Sequence, residues 1–167
     1  EGEGSVDLLR GTEDGILDWI AWGDFGGQTA RRLGSAIAAA GDVDGDGFAD
    51  LVVGASGHAE TFEAEGSIRL VRGGPSPLTA TLNPLLVGTW EWGSMGESLS
   101  SAGDLNGDGY GDLAVGEPDV SFGGPGTGRV HVYYGQGSGL GDPDQQLDGQ
   151  GEDQLGHGIG GGGDVNG

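Results

Sequence analysis

The chain has 167 residues, the length of one ordinary domain, and its 27 acidic residues against six arginines and no lysine give a net charge of −21. A surface this anionic repels phosphate backbones and anionic lipid headgroups, so we expect neither a nucleic-acid partner nor binding to membrane surfaces. The absence of cysteine excludes disulfides and thiolate metal sites, and no apolar run approaches the roughly 20 residues of a membrane span, so we expect no membrane insertion.

Glycine, at 41 residues, would be typical of a disordered chain if it followed no pattern. Two patterns are present. "GSVDLLRG", "GSIRLVRG" and "GRVHVYYG" begin 62 residues apart, at Gly4, Gly66 and Gly128. A longer segment, "LGSAIAAAGDVDGDGFADLVVGAS" from Leu33, is repeated as "MGESLSSAGDLNGDGYGDLAVGEP" from Met95 and begins again as "LGHGIGGGGDVNG" at residue 155. Two markers that keep one register predict a repeat protein.

The repeat register predicts the domain organisation. Residues 1–28 are interpreted as the C-terminal part of a preceding repeat, and residues 29–92 and 93–152 as two full repeats. Residues 153–167 are interpreted as the start of a further repeat that stops within its acidic loop.

Each repeat is predicted to contain four short strands. "DLVVGA" and "DLAVGE" are compact apolar runs typical of buried strands, and "SIRLVR" and "RVHVYY" alternate in the manner of strands. "LGSAIAAAG" is rich in alanine, but its counterparts "MGESLSSAG" and "LGHGIGGGG" are poor helix formers, so we predict a strand there as well. A fourth strand is predicted around Thr81–Val87, with a weaker counterpart at Gln146–Leu147.

Four strands in about 60 residues are typical of a β-propeller blade, so the predicted fold is all-β, with about two and a half four-stranded blades. A partial propeller leaves sheet edges open. We therefore expect either further blades of the same chain or contacts between copies in an oligomer or fibre.

The acidic loops predict metal sites. Ligand oxygens alternate along residues 42–50 and 104–112, while glycines between them allow the chain to curl. Several anionic oxygens in a flexible loop favour Ca²⁺ over Mg²⁺, and a loop without an ion, made of solvated Asp-Gly turns, is the alternative. A helix-flanked calcium loop is excluded because its glutamate position holds Val53 and Val115. The predicted ligands are Asp42, Asp44, Asp46, Asp50 and the Phe48 carbonyl; Asp104, Asn106, Asp108, Asp112 and the Tyr110 carbonyl; and, in a partial third site, Asp164 and Asn166.

The hydrophobe–glycine pairs Leu33-Gly34, Met95-Gly96 and Leu155-Gly156, the "GDVDGDG" and "GDLNGDG" loops, and the "DLVVGAS" and "DLAVGEP" strands together resemble FG-GAP repeats, the blade unit of the integrin alpha-subunit propeller. Leucine or methionine stands where that family has phenylalanine, and Ser56 and Glu117 alter its Gly-Ala-Pro. The resemblance implies an extracellular location, secreted or at the cell surface. It also implies structural Ca²⁺, in two complete sites and a third partial one, and a non-enzymatic module that binds protein or glycan in adhesion.

Two groups of side chains remain outside the repeat motifs. Trp19, Trp22, Trp90 and Trp92 precede successive repeats and are interpreted either as packing residues or as ligand contacts. The three histidines, at 58, 131 and 157, are interpreted as ordinary surface or strand residues, and Arg31-Arg32 as partners of nearby acids. No nucleophile, Walker or HExxH motif is present, so we expect no enzyme. A structural subunit of a surface fibre and the non-catalytic part of a larger secreted enzyme remain alternatives.

Overall fold

The computed structural model describes residues 4–11, 17–20, 31–74, 79–80, 86–122 and 126–161. Within those ranges the regular secondary structure consists of strands, and no helix long and apolar enough to cross a bilayer occurs among them. The strands are β1 (Leu8–Gly11), β2 (Leu17–Ile20), β3 (Leu33–Gly41), β4 (Asp50–Ala55), β5 (Ser67–Arg72), β6 (Thr79–Ala80), β7 (Leu86–Val87), β8 (Leu99–Gly103), β9 (Asp112–Glu117), β10 (Arg129–Tyr133) and β11 (Gln145–Asp148).

The strands form antiparallel sheets that repeat along the chain. One sheet has the order β3-β4-β5, and its outer position is shared by β6 and β7, which both pair with β5. The next has the order β8-β9-β10-β11, and β1 pairs with β2. The prediction of an all-β fold built from propeller-type blades is confirmed. The outer strands lie at Leu86–Val87 and Gln145–Asp148, near their predicted places, while residues 81–85 lie outside the described part.

The segment rich in alanine is strand β3, as its repeat counterparts predicted. Its pairing with β4 shifts register between Ala39 and Gly41, and β8 shifts in the same way between Ser101 and Gly103. Gly41 and Gly103 have φ values of +79° and +78°, in the left-handed region that favours glycine. The same bulge therefore turns the chain into each acidic loop.

The middle strands of the first sheet are buried on both faces. Val52, Ile68 and Leu70 pack toward the second sheet, in a cluster with Leu113 and Val115. The opposite face carries Val53, Ala55 and Val71, which pack with Leu33 and Val6. Since each fully buried aliphatic side chain contributes about 1.5–3 kcal/mol, stacking of one sheet on the next supplies most of the core.

Neighbouring repeats are also joined by backbone contacts that recur with the sequence register. Gly4, Gly66 and Gly128 form parallel bridges to Leu33, Met95 and Leu155, each at the start of the following repeat. Hydroxyl groups reinforce these contacts, because Ser35 donates to the Gly96 carbonyl at 2.9 Å and Ser98 to the Gly156 carbonyl at 2.6 Å. Consecutive repeats therefore form one stacked unit.

Ser98→Ala is expected to destabilise the contact between the second repeat and the segment that follows it. The substitution leaves the Gly156 carbonyl without this donor, at a cost of about 1 kcal/mol, or about 2–4 °C in Tm. Thermal unfolding followed by circular dichroism measures the loss. Ser121→Ala, in an exposed loop, is the control variant. An equal loss of stability in both variants would show that the Ser98 hydrogen bond does not hold the two segments together.

Candidate functional site

The two acidic loops connect equivalent strands and have the same internal geometry. In the first, which joins β3 to β4, the Asp42 carboxylate accepts the backbone N–H groups of Gly45, Asp46 and Gly47 at 2.7, 3.1 and 2.9 Å. In the second, which joins β8 to β9, Asp104 accepts those of Gly107, Asp108 and Gly109 at 2.8, 3.0 and 2.9 Å. The first aspartate of each loop therefore curls the chain around its own carboxylate.

The last aspartate of each loop ties the loop to its sheet. Asp50 is fully buried and accepts the N–H of Val43 at 3.0 Å and that of Gly73, which follows β5, at 2.8 Å. Asp112 is equally buried and accepts from Leu105 and Gly135 at 2.6 and 3.0 Å. Each of these carboxylates thus joins the start of its loop to the residues that follow the third strand of its sheet, which is β5 in the first sheet and β10 in the second.

The first loop brings three carboxylates together. Ligand atoms of Asp42, Asp44 and Asp50 lie within 4.8 Å of one another, and these groups offer only oxygen. Burial raises the pKa of Asp50, and the nearby Asp44 and Asp46 raise it further, while hydrogen bonds from Gly73 and Val43 act in the opposite direction. Since burial and repulsion both disfavour the ionised form, a bound cation would relieve both, and the oxygen donors suit a hard divalent ion.

The remaining predicted ligands lie in the same loops. The carboxylate oxygens of Asp46 and Asp108 accept the backbone N–H of Phe48 and Tyr110, at 2.9 and 3.0 Å. The amide of Asn106 accepts from the Asp108 N–H at 3.0 Å and donates to the Asp108 carboxylate at 2.9 Å. Asp164 and Asn166, predicted to begin a third site, lie outside the described residues.

An arginine balances the additional charge of the first loop. The Arg72 guanidinium lies 2.7 Å from the Asp44 carboxylate and also donates to the Ser138 carbonyl of the next repeat at 2.9 Å. At the equivalent positions, 62 residues later, the second repeat has Asn106 and Tyr134. The repeat whose acidic loop has the additional carboxylate is therefore also the one whose arginine side chain offsets that charge.

A second feature lies at the opposite end of the strands. A cleft of about 390 Å³ is lined by Arg31, Arg32, Ser56, Glu63 and Trp92, among others. The arginines pair with acids, as the sequence predicted: Arg31 lies 2.5 Å from Glu63, and Arg32 lies 3.8 Å from Glu97. The buried Ser56 hydroxyl has no hydrogen-bond partner within the described residues.

The predicted tryptophans separate into different environments. Trp92 is 58% exposed at the rim of this cleft, whereas Trp90 packs against Phe122 with ring centroids 6.1 Å apart. Trp19 lies in β2, whose side chains lie outside the described part, as does the whole of Trp22. Of the two tryptophans whose side chains the structure describes, Trp92 is the more exposed.

Sequence reasoning missed two buried glutamates. Glu65 accepts the N–H groups of Glu60, Thr61 and Phe62 at 2.6, 2.8 and 2.9 Å and so closes the loop between β4 and β5. The Glu117 carboxylate lies 2.8 Å from His131 Nε2 on the neighbouring strand and accepts its N–H when that nitrogen carries the proton. Two signals for this pair were visible in the sequence: Glu117 departs from the family pattern, and His131 differs from its counterpart Arg69.

The histidines differ partly from their interpretation. His131 is a strand residue, as expected, and His157 is exposed. His58 is neither on the surface nor in a strand. It is buried in the β4–β5 loop because its backbone N–H bonds to the Ala55 carbonyl and its own carbonyl accepts from Gly66, which folds the loop over it.

Comparison with known proteins agrees with this architecture. A profile of the FG-GAP repeat matches residues 33–68 and 95–133. The chain is similar to integrin alpha-IIb of Mus musculus (41% identity over 133 residues, 74% of this chain and 12% of that protein) and to integrin alpha-PS2 of Drosophila melanogaster (37% over 129 residues, 72% and 9%). It is also similar to integrin alpha-5 of Xenopus laevis (33% over 154 residues, 88% and 14%), so it spans only about a tenth of the length of these relatives. With its two matched repeats, its blade-type sheets and its pair of acidic loops, the chain belongs to the FG-GAP repeat family.

Proposed function

We propose that this chain is a calcium-binding β-propeller module that acts outside cells, secreted or at the cell surface, and binds a protein or glycan in adhesion without catalysing a reaction. The observation that carries the proposal is the pair of acidic loops with matching geometry, in which carboxylates converge and the first and last aspartates are held by the same backbone contacts. Its similarity to integrin alpha subunits supports a role in adhesion.

The proposed calcium ligands are those predicted from the sequence. The first loop offers Asp42, Asp44, Asp46, Asp50 and the Phe48 carbonyl, and the second offers the equivalent set from Asp104 to Asp112, with Tyr110 supplying its carbonyl. Calcium supplies positive charge that offsets the repulsion between carboxylates and so stabilises the loops at the ends of β3 and β8. Because extracellular calcium modules bind with Kd of about 10⁻⁴–10⁻³ M, such sites fill where calcium is near-millimolar, outside cells.

Calcium removal is expected to lower the thermal stability of the chain. At a free concentration about 20 times Kd, calcium binding stabilises the folded state by roughly 2 kcal/mol per site, or about 4–8 °C in Tm. Differential scanning calorimetry in 5 mM CaCl₂ and in EGTA measures the difference, and isothermal titration calorimetry gives the stoichiometry. In the double variant Asp46→Asn/Asp108→Asn most of the increment should disappear. A wild-type Tm unaffected by EGTA would contradict the calcium proposal.

The cleft around Trp92 is the proposed ligand-contact surface. Its rim presents a largely exposed indole beside two arginines, a combination that suits stacking and charge-assisted contacts with a partner. An array of extracellular matrix proteins and glycans, probed with the full chain in calcium, would identify the partner class. Trp92→Ala should lower the signal at least about tenfold on any bound spot, while Trp90→Ala, which alters a packed ring, should lower it mainly through stability. Equal binding by wild type and Trp92→Ala would exclude the cleft.

We propose that the repeats run over residues 1–28, 29–92, 93–152 and 153–167. Two experiments test what lies next to them in the assembled protein. Sedimentation of the chain in calcium separates a module of a longer propeller, which would be monomeric, from a structural subunit that assembles with its own copies. Sequencing the complete reading frame would show whether further blades or an enzyme domain accompany it.

A further inference from the structure

We propose that the two acidic loops bind calcium with positive cooperativity, because the second loop is built directly against the first. The inference rests on the proposed calcium sites and deepens them: it concerns how one site affects the other. The loops belong to successive repeats, and the stacking of β3 against β8 brings them together.

The first link is a contact between the loops themselves. The backbone N–H of Gly111, position 8 of the second loop, donates to the carbonyl of Asp42, position 1 of the first, at 2.8 Å. Gly111 is required at this point because a Cβ there would lie 2.4 Å from the Ala40 carbonyl oxygen. The equivalent residue of the first loop is Ala49, which is exposed. Gly111, which bonds to the first loop, thus stands between Tyr110 and Asp112, two proposed ligand positions of the second loop.

The second link is an aromatic ring. Tyr110 packs its ring on Gly45, where an added Cβ would come within 2.5 Å of the Tyr110 Cε1 atom. The backbone of Tyr110 belongs to the second loop and its side chain covers the first, at a glycine whose N–H bonds to Asp42. Any change in the curl of one loop is therefore transmitted to the other as a steric contact.

The third link is a short segment after β10 that holds both loops at once. The N–H of Gly135 donates to the Asp112 carboxylate at 3.0 Å, and the N–H of the next residue, Gln136, donates to the Val43 carbonyl at 2.9 Å. Val43 also donates its own N–H to Asp50. Two consecutive amides therefore join the last aspartate of the second loop to the backbone of the first.

These links determine the sign of the coupling. A calcium ion orders the loop that it enters, and the ordered loop presents the carbonyls and amides that fix its neighbour, so the second ion has less ordering entropy to overcome. Electrostatic repulsion between the two ions acts in the opposite direction. The tips of both loops are exposed, and salt at 0.15 M screens charges beyond about 8 Å, so we expect the ordering effect to exceed this repulsion.

The test follows calcium binding at each loop separately. Amide shifts of Gly47 and Gly109, whose N–H groups bond to the first aspartates, report the two loops in ¹⁵N-correlated NMR spectra of the full chain during titration with CaCl₂ in 0.15 M KCl. Asp108→Ala disables the second loop, and we expect the calcium Kd of the first loop then to rise about tenfold. Glu152→Gln, an exposed substitution with the same charge change, should leave that Kd within about twofold of wild type.

A neutral substitution separates contact from charge. Tyr110→Ala removes the ring and keeps the carbonyl; it should weaken the first loop severalfold, and adding Asp108→Ala should then cost less than about threefold more. Tyr110→Phe retains the ring and should retain the wild-type cooperativity. Gly111→Ala, which pushes the loops apart at a different atom, should reproduce the effect of Tyr110→Ala.

The outcomes are distinguishable. A Kd for the first loop that stays within twofold in Asp108→Ala, or that falls, overturns the coupling while leaving the calcium sites intact. Calcium binding at neither loop in the wild type overturns the calcium sites and the coupling with them.

Discussion

Replacing Asp112 with alanine is expected to lower the stability of the chain whether or not calcium is present. The fully buried carboxylate accepts two backbone N–H groups, from Leu105 and Gly135, and hydrogen bonds to a charged group contribute about 1.5–3 kcal/mol each. Relief of repulsion between the aspartates offsets part of the loss. We expect about 3–4 kcal/mol in EGTA, or about 6–16 °C in Tm, and a larger difference in calcium.

Asp108→Ala is the matched comparison, since it lies four residues earlier in the same loop and is exposed. Its carboxylate accepts only from Tyr110 and Asn106 within the loop, so its loss in EGTA should stay below about 1 kcal/mol and the calcium increment alone should shrink. Urea unfolding of both variants, with and without calcium, gives the four free energies. If Asp112→Ala were as stable as Asp108→Ala in EGTA, the structural role of the last aspartate would be wrong.

The acidic loops could be predicted because their information is local. Asp42 and Asp104 bond to amides three to five residues away, and the glycines that allow this curl lie between them in the sequence. Strand β3 could be predicted for a different reason: comparison of three repeats removed the helical preference of its alanines. When successive repeats place different residues at the same position, the property that those residues share is the one that the structure requires.

The contacts between repeats could not be predicted in this way. Gly111 bonds to Asp42 across 69 residues, and nothing at either position signals the other. The Glu117–His131 pair left a weak trace, since both residues differ from their counterparts Ala55 and Arg69 in the first repeat. Two changes on adjacent strands could have suggested a pair. Glu65 gave no signal, because one glutamate among 27 acidic residues carries no mark of its burial.

Replacing Glu65 with alanine is expected to be as damaging at the cleft end of the strands as Asp112→Ala is at the end that carries the acidic loops. Three consecutive backbone N–H groups, those of Glu60, Thr61 and Phe62, lose their acceptor, and a buried cavity replaces the side chain. Water reaches part of this loop and recovers some of the hydrogen bonding. The expected loss is about 3–5 kcal/mol, independent of calcium.

Glu65 and the acidic loops lie at opposite ends of β4. The loss of stability in Glu65→Ala should therefore not depend on calcium, unlike the loss in each variant of the acidic loops. Glu60→Ala, in the same connection but exposed, should cost less than about 1 kcal/mol. The backbone carbonyls of Glu63 and Ala64 accept from Trp92 and Ser94, so opening of this loop should also loosen the cleft rim. Hydrogen exchange should therefore accelerate at the amides of residues 60–62 and at Trp92 in Glu65→Ala, and unchanged protection at Trp92 would show that the cleft is held independently of the buried carboxylate.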